Sequence, residues 1–419
     1  MLIFLTTADT DLQALAGGAR SLPPGFPSII ARHLRALSTP QALSAFLEKA
    51  LPSARLVLLR LLGGKQAFPE GLERLSAACR QRGIPLVACP GEATRDPALE
   101  AASTVPPGLA ARAFEYLFHG GAANLRDLLL FLSDERLGTH YGYRPPQPLP
   151  WDGLYRPGHA TPLSLDEYLA RFWRPDRPAV GILFYRALWA SGNTEPVDAL
   201  VQALEARGAN TLPLFCYSLR DEATPSGAPP LVLRKYILEE DGRPRAHCLT
   251  STLSFSLARE GSEEIASALS RLDIPILQAV LSAGSRDAWQ KSPIGLSPLD
   301  TAMSVALPEL DGRIITLPIA FKEEAPDPVL GAPVARSIPV PEQVEALADL
   351  ALRFASLRHK ANSEKRIAIV LSNYPTKNAR AGNAVGLDTP ASALKLLHAL
   401  KADGYQVSPI PESGDALMH

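Results

Sequence analysis

VGILFYRALWASGNTEPVDALVQALEARGANTLPLFCY, residues 180–217, sets the reading of the whole chain. Val180–Tyr185 is an apolar run of strand length. A turn at Gly192-Asn193-Thr194 follows, then a helical stretch over Val197–Ala206 that stops at Gly208. A second strand covers Thr211–Tyr217. Strand, helix and strand in this order predict two parallel strands joined by a right-handed crossover. Loops that follow the carboxyl ends of such strands are where α/β proteins hold ligands. Arg186 and Asn193 lie in this loop. An arginine just past a strand end meets either an anion or a surface carboxylate, and spacing does not choose between them.

The same rhythm extends toward the N-terminus. Leu2–Thr7 and Leu56–Leu62 read as strands, the latter ending at Gly63-Gly64. Pro69–Arg82 reads as a helix closed by Gly83, and Ile84–Cys89 as the next strand. Helices are predicted over Leu109–Phe118 and Asn124–Leu137. Toward the C-terminus, strands are predicted at Cys248–Leu253, Ile276–Leu281 and Ile314–Ala320, and helices at Pro298–Ala306 and Gln343–Arg358. The fold class is therefore α/β, with several βαβ-type domains, parallel sheets, and helical and Pro-rich connecting segments. The expected division is an α/β domain at 1–150 with a helical C-terminal part and a Pro/aromatic-rich linker at 151–178. A second α/β domain follows at 179–322, then a Pro-rich linker at 323–341 and the start of a further α/β unit at 342–419, cut short.

Composition narrows the function. The 419 residues are 46% hydrophobic and 20% charged, with a formal net charge of -1. That suits a globular protein and disfavours nucleic acid or an anionic membrane as the main partner. No window approaches the ~20 apolar residues of a membrane helix. The N-terminal run lacks the basic residues of a signal peptide, so a cytoplasmic location is expected. The four cysteines are widely spaced, without a CxxC pair, and read as buried thiols in a reducing compartment.

Near the C-terminus, Arg366-Ile-Ala-Ile-Val-Leu371 is an apolar run followed by a Gly/Asn loop through Gly382-Asn383 and Gly386. A helix capped by Thr389, with Pro390 at its first position, is predicted next, then a strand at Gln406–Ile410. This repeats the order of residues 180–217 and suggests two paired βαβ units facing one cleft. The loop offers Arg380 and Lys377 for anionic groups, or is a surface loop whose glycines only permit turns. GxxxxGK[ST] is absent from the chain, so ATP hydrolysis by this polypeptide is not expected. Elsewhere, Glu309 and Asp311 stand two apart in Leu307-Pro-Glu-Leu-Asp-Gly-Arg313. They either hold a cation or an amide, or belong to a turn at Asp311-Gly312 with Glu309 solvated. The eight histidines show neither HxH nor HExxH spacing.

Taken in order, several blocks resemble the large subunit of aerobic cobaltochelatase, the CobN type. That type sits in the wider family that includes the large subunit of magnesium chelatase. The blocks are Leu61-Leu-Gly-Gly-Lys65, Ser103-Thr-Val-Pro-Pro107, Gly181-Ile-Leu-Phe-Tyr-Arg186, Pro196-Val-Asp-Ala-Leu200, Leu307-Pro-Glu-Leu-Asp-Gly-Arg313 and Gly382-Asn-Ala-Val-Gly-Leu-Asp-Thr-Pro-Ala-Ser392. The last block and the PELDGR block favour the cobalt branch.

The resemblance implies a subunit that binds cobalt, the substrate metal, and a corrin precursor, hydrogenobyrinic acid a,c-diamide, for cobalamin synthesis. It implies ATP hydrolysis by separate partners, an AAA+ ATPase subunit and a subunit with an integrin-like metal-binding domain. Glu309, Asp311, Arg313, Arg380, Asn383, Asp388, Arg186 and Asn193 are the expected cleft-lining residues, with no catalytic role assigned. The chain is short for that family, and is read as a fragment, a split-gene half or a truncated relative whose last sheet has an unpaired edge. Two other classes stay open on the residues alone: a nucleotide-sugar-like binding module without catalysis, and a docking scaffold for the ATPase partners.

Overall fold

In the computed structural model the described residues are 1–92, 96–220, 228–257, 266–372, 382 and 385–419. They form two compact units, Met1–Ala351 and Leu352–His419.

The first unit contains two sheets. The N-terminal sheet holds β1 (Leu2–Thr6), β2 (Ile29–His33), β3 (Leu56–Leu61) and β4 (Leu86–Pro90), all parallel, in the order β2-β1-β3-β4. Its strands are apolar on both faces because helices cover both. Leu2, Phe4, Leu56 and Leu58 pack toward helices α1 (Asp9–Ala19), α5 (Pro107–His119) and α6 (Ala122–Leu137). The alternate residues Ile3, Leu5, Val57 and Leu59 face α2 (Pro40–Ala50), α3 (Pro69–Gln81) and α4 (Pro97–Ala102). Gly18 lets α1 and α6 touch backbone to backbone. A Cβ there would lie 2.4 Å from the Ala122 carbonyl oxygen and 2.8 Å from the Arg126 nitrogen.

The second sheet holds β5 (Asp152–Leu154), β6 (Ala179–Tyr185), β7 (Asn210–Cys216), β8 (Cys248–Ser251), β9 (Ile276–Ser282), β10 (Ile314–Asp327) and β11 (Ala332–Pro339). Their order is β11-β10-β9-β8-β6-β7-β5. The five strands from β7 to β10 are parallel, and β5 and β11 run antiparallel at the edges. Between β6 and β7 lie α9 (Glu195–Ala206), where the 180–217 reading predicts a helix, and a short additional helix, α8 (Arg186–Ser191), where it predicts loop.

Residues 323–341 were expected to be a linker and are instead mostly the β10–β11 hairpin. The prolines misled the reading, because Pro326 and Pro333 face each other where β10 has already left β9. There the outer side of the strand has no ladder partner, so a missing N–H costs little. The hairpin crosses to the first sheet. Leu330 supplies a carbonyl to the Ala31 amide at 3.0 Å, and Gln13 Nε2 donates to the Ala335 carbonyl at 2.5 Å. Lys322 and Arg35 both reach Asp9, and Arg20 pairs with Asp327 at 3.0 Å. The expected linker at 151–178 likewise contains β5 and a helix, α7 (Leu165–Phe172), whose Ser164–Glu167 capping box starts it.

In the second unit the helix that follows the Gly/Asn loop spans Thr389–Ala402. Its cap is Asp388, one residue earlier than expected; the carboxylate accepts the Ala391 amide at 3.0 Å, and Pro390 sits in the first turn. Residues 366–371 carry no strand, and Val370 is 89% exposed. Gln406–Ile410 is also irregular. The paired βαβ unit is therefore not seen among the described residues. No helix of the described residues is long and apolar enough to cross a membrane. All four cysteines are free and buried.

Candidate functional site

From β6 the chain crosses to β7 on one side and later to β8 on the other. The parallel strands thus read β7-β6-β8-β9-β10, and the direction of winding reverses between β6 and β8. Loops leaving the carboxyl ends of strands diverge at such a point and open a crevice. Here that crevice is a cavity of about 300 Å³ walled by Tyr185 from the end of β6, Tyr217–Arg220 after β7 and Leu253–Leu257 after β8. A second lobe of about 680 Å³ shares Tyr217–Arg220 and continues along Trp151, Asp152 and the helix α10 (Leu231–Tyr236). Small-molecule sites commonly occupy about 300–1,000 Å³.

Three aromatic side chains stand at the rims with large exposed faces: Tyr217 at 67%, Phe255 at 52% and Trp151 at 48%. Trp151 and Tyr217 pack edge to face with centroids 5.2 Å apart. Phe255 has φ +66°, a left-handed conformation that a bulky residue adopts at a steric cost. The surroundings hold it there. Its amide donates to the Met303 carbonyl at 2.9 Å, and Arg313 Nη2 donates to its own carbonyl at 3.2 Å. A strained backbone presenting an exposed aromatic at a cavity rim is characteristic of ligand-facing positions.

The PELDGR corner is the device that fixes this loop. Asp311 and Arg313 form an ion pair at 2.7 Å with side chains 1% and 2% exposed. Arg313 Nη1 also donates to the Leu253 carbonyl at 2.8 Å and to Gln278 Oε1 at 3.1 Å. Asp311 Oδ1 accepts the Ser256 hydroxyl at 2.6 Å and the Leu257 amide at 2.9 Å. Arg313 borders the smaller lobe, whereas Asp311 is spent on the loop behind it. Glu309 is exposed, so the two carboxylates do not converge. Among the described residues no three His, Cys, Asp or Glu side chains gather as a metal site.

The other expected residues are distributed as follows. Arg186 is buried and donates to the carbonyls of Pro150 at 2.8 Å and His119 at 3.1 Å, with its guanidinium 4.9 Å from the Trp151 ring. It props the rim tryptophan from below, and burial lowers its pKa. Asn193 is buried against β11, exchanging hydrogen bonds with Ser337 at 3.0 and 3.2 Å. Asp388 caps a helix of the second unit. Arg380 and Asn383 lie outside the described residues.

Sequence reasoning missed the rim aromatics and Arg220. Their only signal was position: Tyr185 and Tyr217 end apolar runs, and Phe255 follows one. At those places an aromatic reads as core. The polar dressing is equally local. Tyr185 donates to the Ser254 carbonyl at 2.9 Å, and burial pushes its pKa up to about 12, so it is a donor at neutral pH. Arg220 Nη2 donates to the Ser256 carbonyl at 2.6 Å. The described wall of the larger lobe carries Arg220, Arg234 and Lys235 against one carboxylate, Asp152, which Lys235 engages at 2.8 Å.

Comparison with known proteins places these features in a family. The aerobic cobaltochelatase subunit CobN of Pseudomonas aeruginosa is 38% identical over 418 residues, covering 100% of this chain and 32% of that protein. The chloroplastic magnesium-chelatase subunit ChlH of Oryza sativa subsp. indica is 32% identical over 250 residues, 58% of this chain and 17% of that protein. The catalytic subunit of cobaltochelatase from Mycobacterium tuberculosis superposes with a TM-score of 0.70 at 36% identity, over 100% of this chain and 32% of that one. The chain thus spans about a third of the length of the curated cobaltochelatase relatives it matches. The family model described as CobN/Magnesium Chelatase matches residues 114–419, and on that match and the whole-length likeness to CobN the chain belongs to the CobN/magnesium chelatase family.

Proposed function

We propose that this chain is the part of a cobaltochelatase large subunit that holds the corrin precursor, hydrogenobyrinic acid a,c-diamide, during Co²⁺ insertion in cobalamin synthesis. The observation that carries the reading is the unbroken likeness to CobN over 418 residues, against a shorter and weaker likeness to the magnesium-chelatase protein. The two-lobed cavity at the β6/β8 reversal supports it physically. A flat conjugated ring stacks on aromatic faces, and the crevice between diverging loops is open enough to admit one edge of such a ring.

Metal insertion requires removal of the ring N–H protons while cobalt sheds its waters, which takes a base and transient ligands. In this reading the cavity supplies position: it fixes the ring so that those groups meet a single geometry. ATP hydrolysis belongs to partner subunits, an AAA+ ATPase and a subunit carrying a metal-binding domain. The test is a titration of the 419-residue chain with hydrogenobyrinic acid a,c-diamide, followed by visible absorption. A saturable spectral shift is expected. No shift, with or without the remaining two thirds of a CobN-type chain supplied in trans, overturns the proposal.

A further inference from the structure

We infer that the larger lobe reads the peripheral carboxylates of its ligand, with Arg220 and Arg234 as the readers and the Tyr217–Trp151 pair as the stacking wall. The inference rests on the tetrapyrrole reading above and adds the recognition chemistry, which that reading leaves open.

Four observations converge. Tyr217 belongs to both lobes and is the most exposed of the rim aromatics, so a planar ligand entering either lobe meets its face. Its position is fixed: the Tyr217 amide donates to the Trp151 carbonyl at 3.1 Å, and Arg186 backs Trp151 from the buried side. The wall is therefore rigid before a ligand arrives, which lowers the ordering cost of binding. Third, the described lining of this lobe is cationic. Lys235 is engaged by Asp152, while Arg234 makes no ion pair among the described residues. Arg220 is anchored at the rim by its Nη2 bond to the Ser256 carbonyl. Fourth, Leu219, Leu231 and Val232 line the lobe beside the guanidinium groups. An apolar and aromatic lining interspersed with cations fits a flat ring bearing acid side chains. A guanidinium matches a carboxylate through two parallel N–H donors, which an uncharged amide cannot equal.

The experiment compares two corrinoids on the intact chain by titration calorimetry and quenching of tryptophan emission. One is hydrogenobyrinic acid a,c-diamide, and the other is a corrinoid whose side chains are all amides. The acid form is expected to bind at least tenfold more tightly, with the advantage shrinking as salt rises. Arg220→Gln and Arg234→Gln are each expected to weaken the acid form roughly ten- to a hundredfold while changing the amide form little. Tyr217→Ala is expected to weaken both corrinoids alike. All three side chains are exposed, so folding is not at stake. Equal binding of acid and amide forms, or arginine variants that weaken both equally, overturns the inference while leaving the corrin reading standing. If neither corrinoid binds, the corrin reading falls, and uroporphyrin, a flat polyacid, decides the lobe. Binding that depends on Tyr217 and Arg220 upholds the recognition chemistry, and no binding overturns that too.

Discussion

Breaking the Asp311–Arg313 pair should destabilise the first unit far more than an ordinary polar substitution. Both side chains are almost fully buried, and each satisfies further groups of the 253–257 loop. Removing one partner breaks a buried ion pair and the loop hydrogen bonds tied to it, a loss of about 3–5 kcal/mol. Unfolding entropy near 2 cal/mol/K per residue, over residues 1–351, turns about 4 kcal/mol into a drop in Tm of about 5 °C. Asp311→Ala and Arg313→Met should therefore each lower Tm by about that amount. The double variant should lose less than the two losses added, because each single change already breaks the shared pair. A coupling energy of about 2 kcal/mol or more is expected from the double-mutant cycle by denaturant titration. Glu309→Gln, on the exposed side of the same corner, should stay within about 0.5 kcal/mol of the parent. Additive single losses, or an Asp311→Ala variant as stable as Glu309→Gln, would refute the assignment of this corner as a loop latch.

Phe255→Gly should relieve the cost of φ +66° and gain about 1 kcal/mol in stability while weakening corrinoid binding; denaturant midpoints and titrations on the same sample check both halves. Gly18→Ala should cost about 1–3 kcal/mol, because the added carbon meets backbone atoms of α6 that cannot rotate away; thermal melts measure it. Asp9 gives a pH signature. Burial alone would raise its pKa, but hydrogen bonds from Arg35 and Lys322 outweigh it and hold the carboxyl below its ordinary value of 3.8. Its stabilising contribution is then complete above that value and fades as pH falls through the lower, folded-state pKa. Parent and Asp9→Asn should converge in stability on acidification, and a constant gap down to about pH 2 would contradict this.

The regular α/β core was legible because its signals are local. Strands β1, β3, β6 and β7 are short apolar runs flanked by Gly-punctuated helices, and their predicted positions match. The β10–β11 hairpin was hidden by prolines that are tolerated only because one side of the strand is unpaired. The run 366–371 has the composition of a buried strand, yet composition cannot supply the neighbours that would bury it. Glu309 and Asp311 show a similar limit: their spacing marks the corner, but only packing shows that Asp311 turns inward to Arg313 while Glu309 faces water. The rim aromatics were the least legible. Exposure depends on which loops converge at the β6/β8 reversal, and those loops are separated by dozens of residues in sequence.

Hydrogen–deuterium exchange on the chain, with and without saturating hydrogenobyrinic acid a,c-diamide, tests the central claim most directly. Ligand should slow exchange at Tyr217–Arg220 and Leu253–Leu257 and leave the N-terminal sheet unchanged. Protection confined to other segments, with those two loops exchanging as before, would contradict the account.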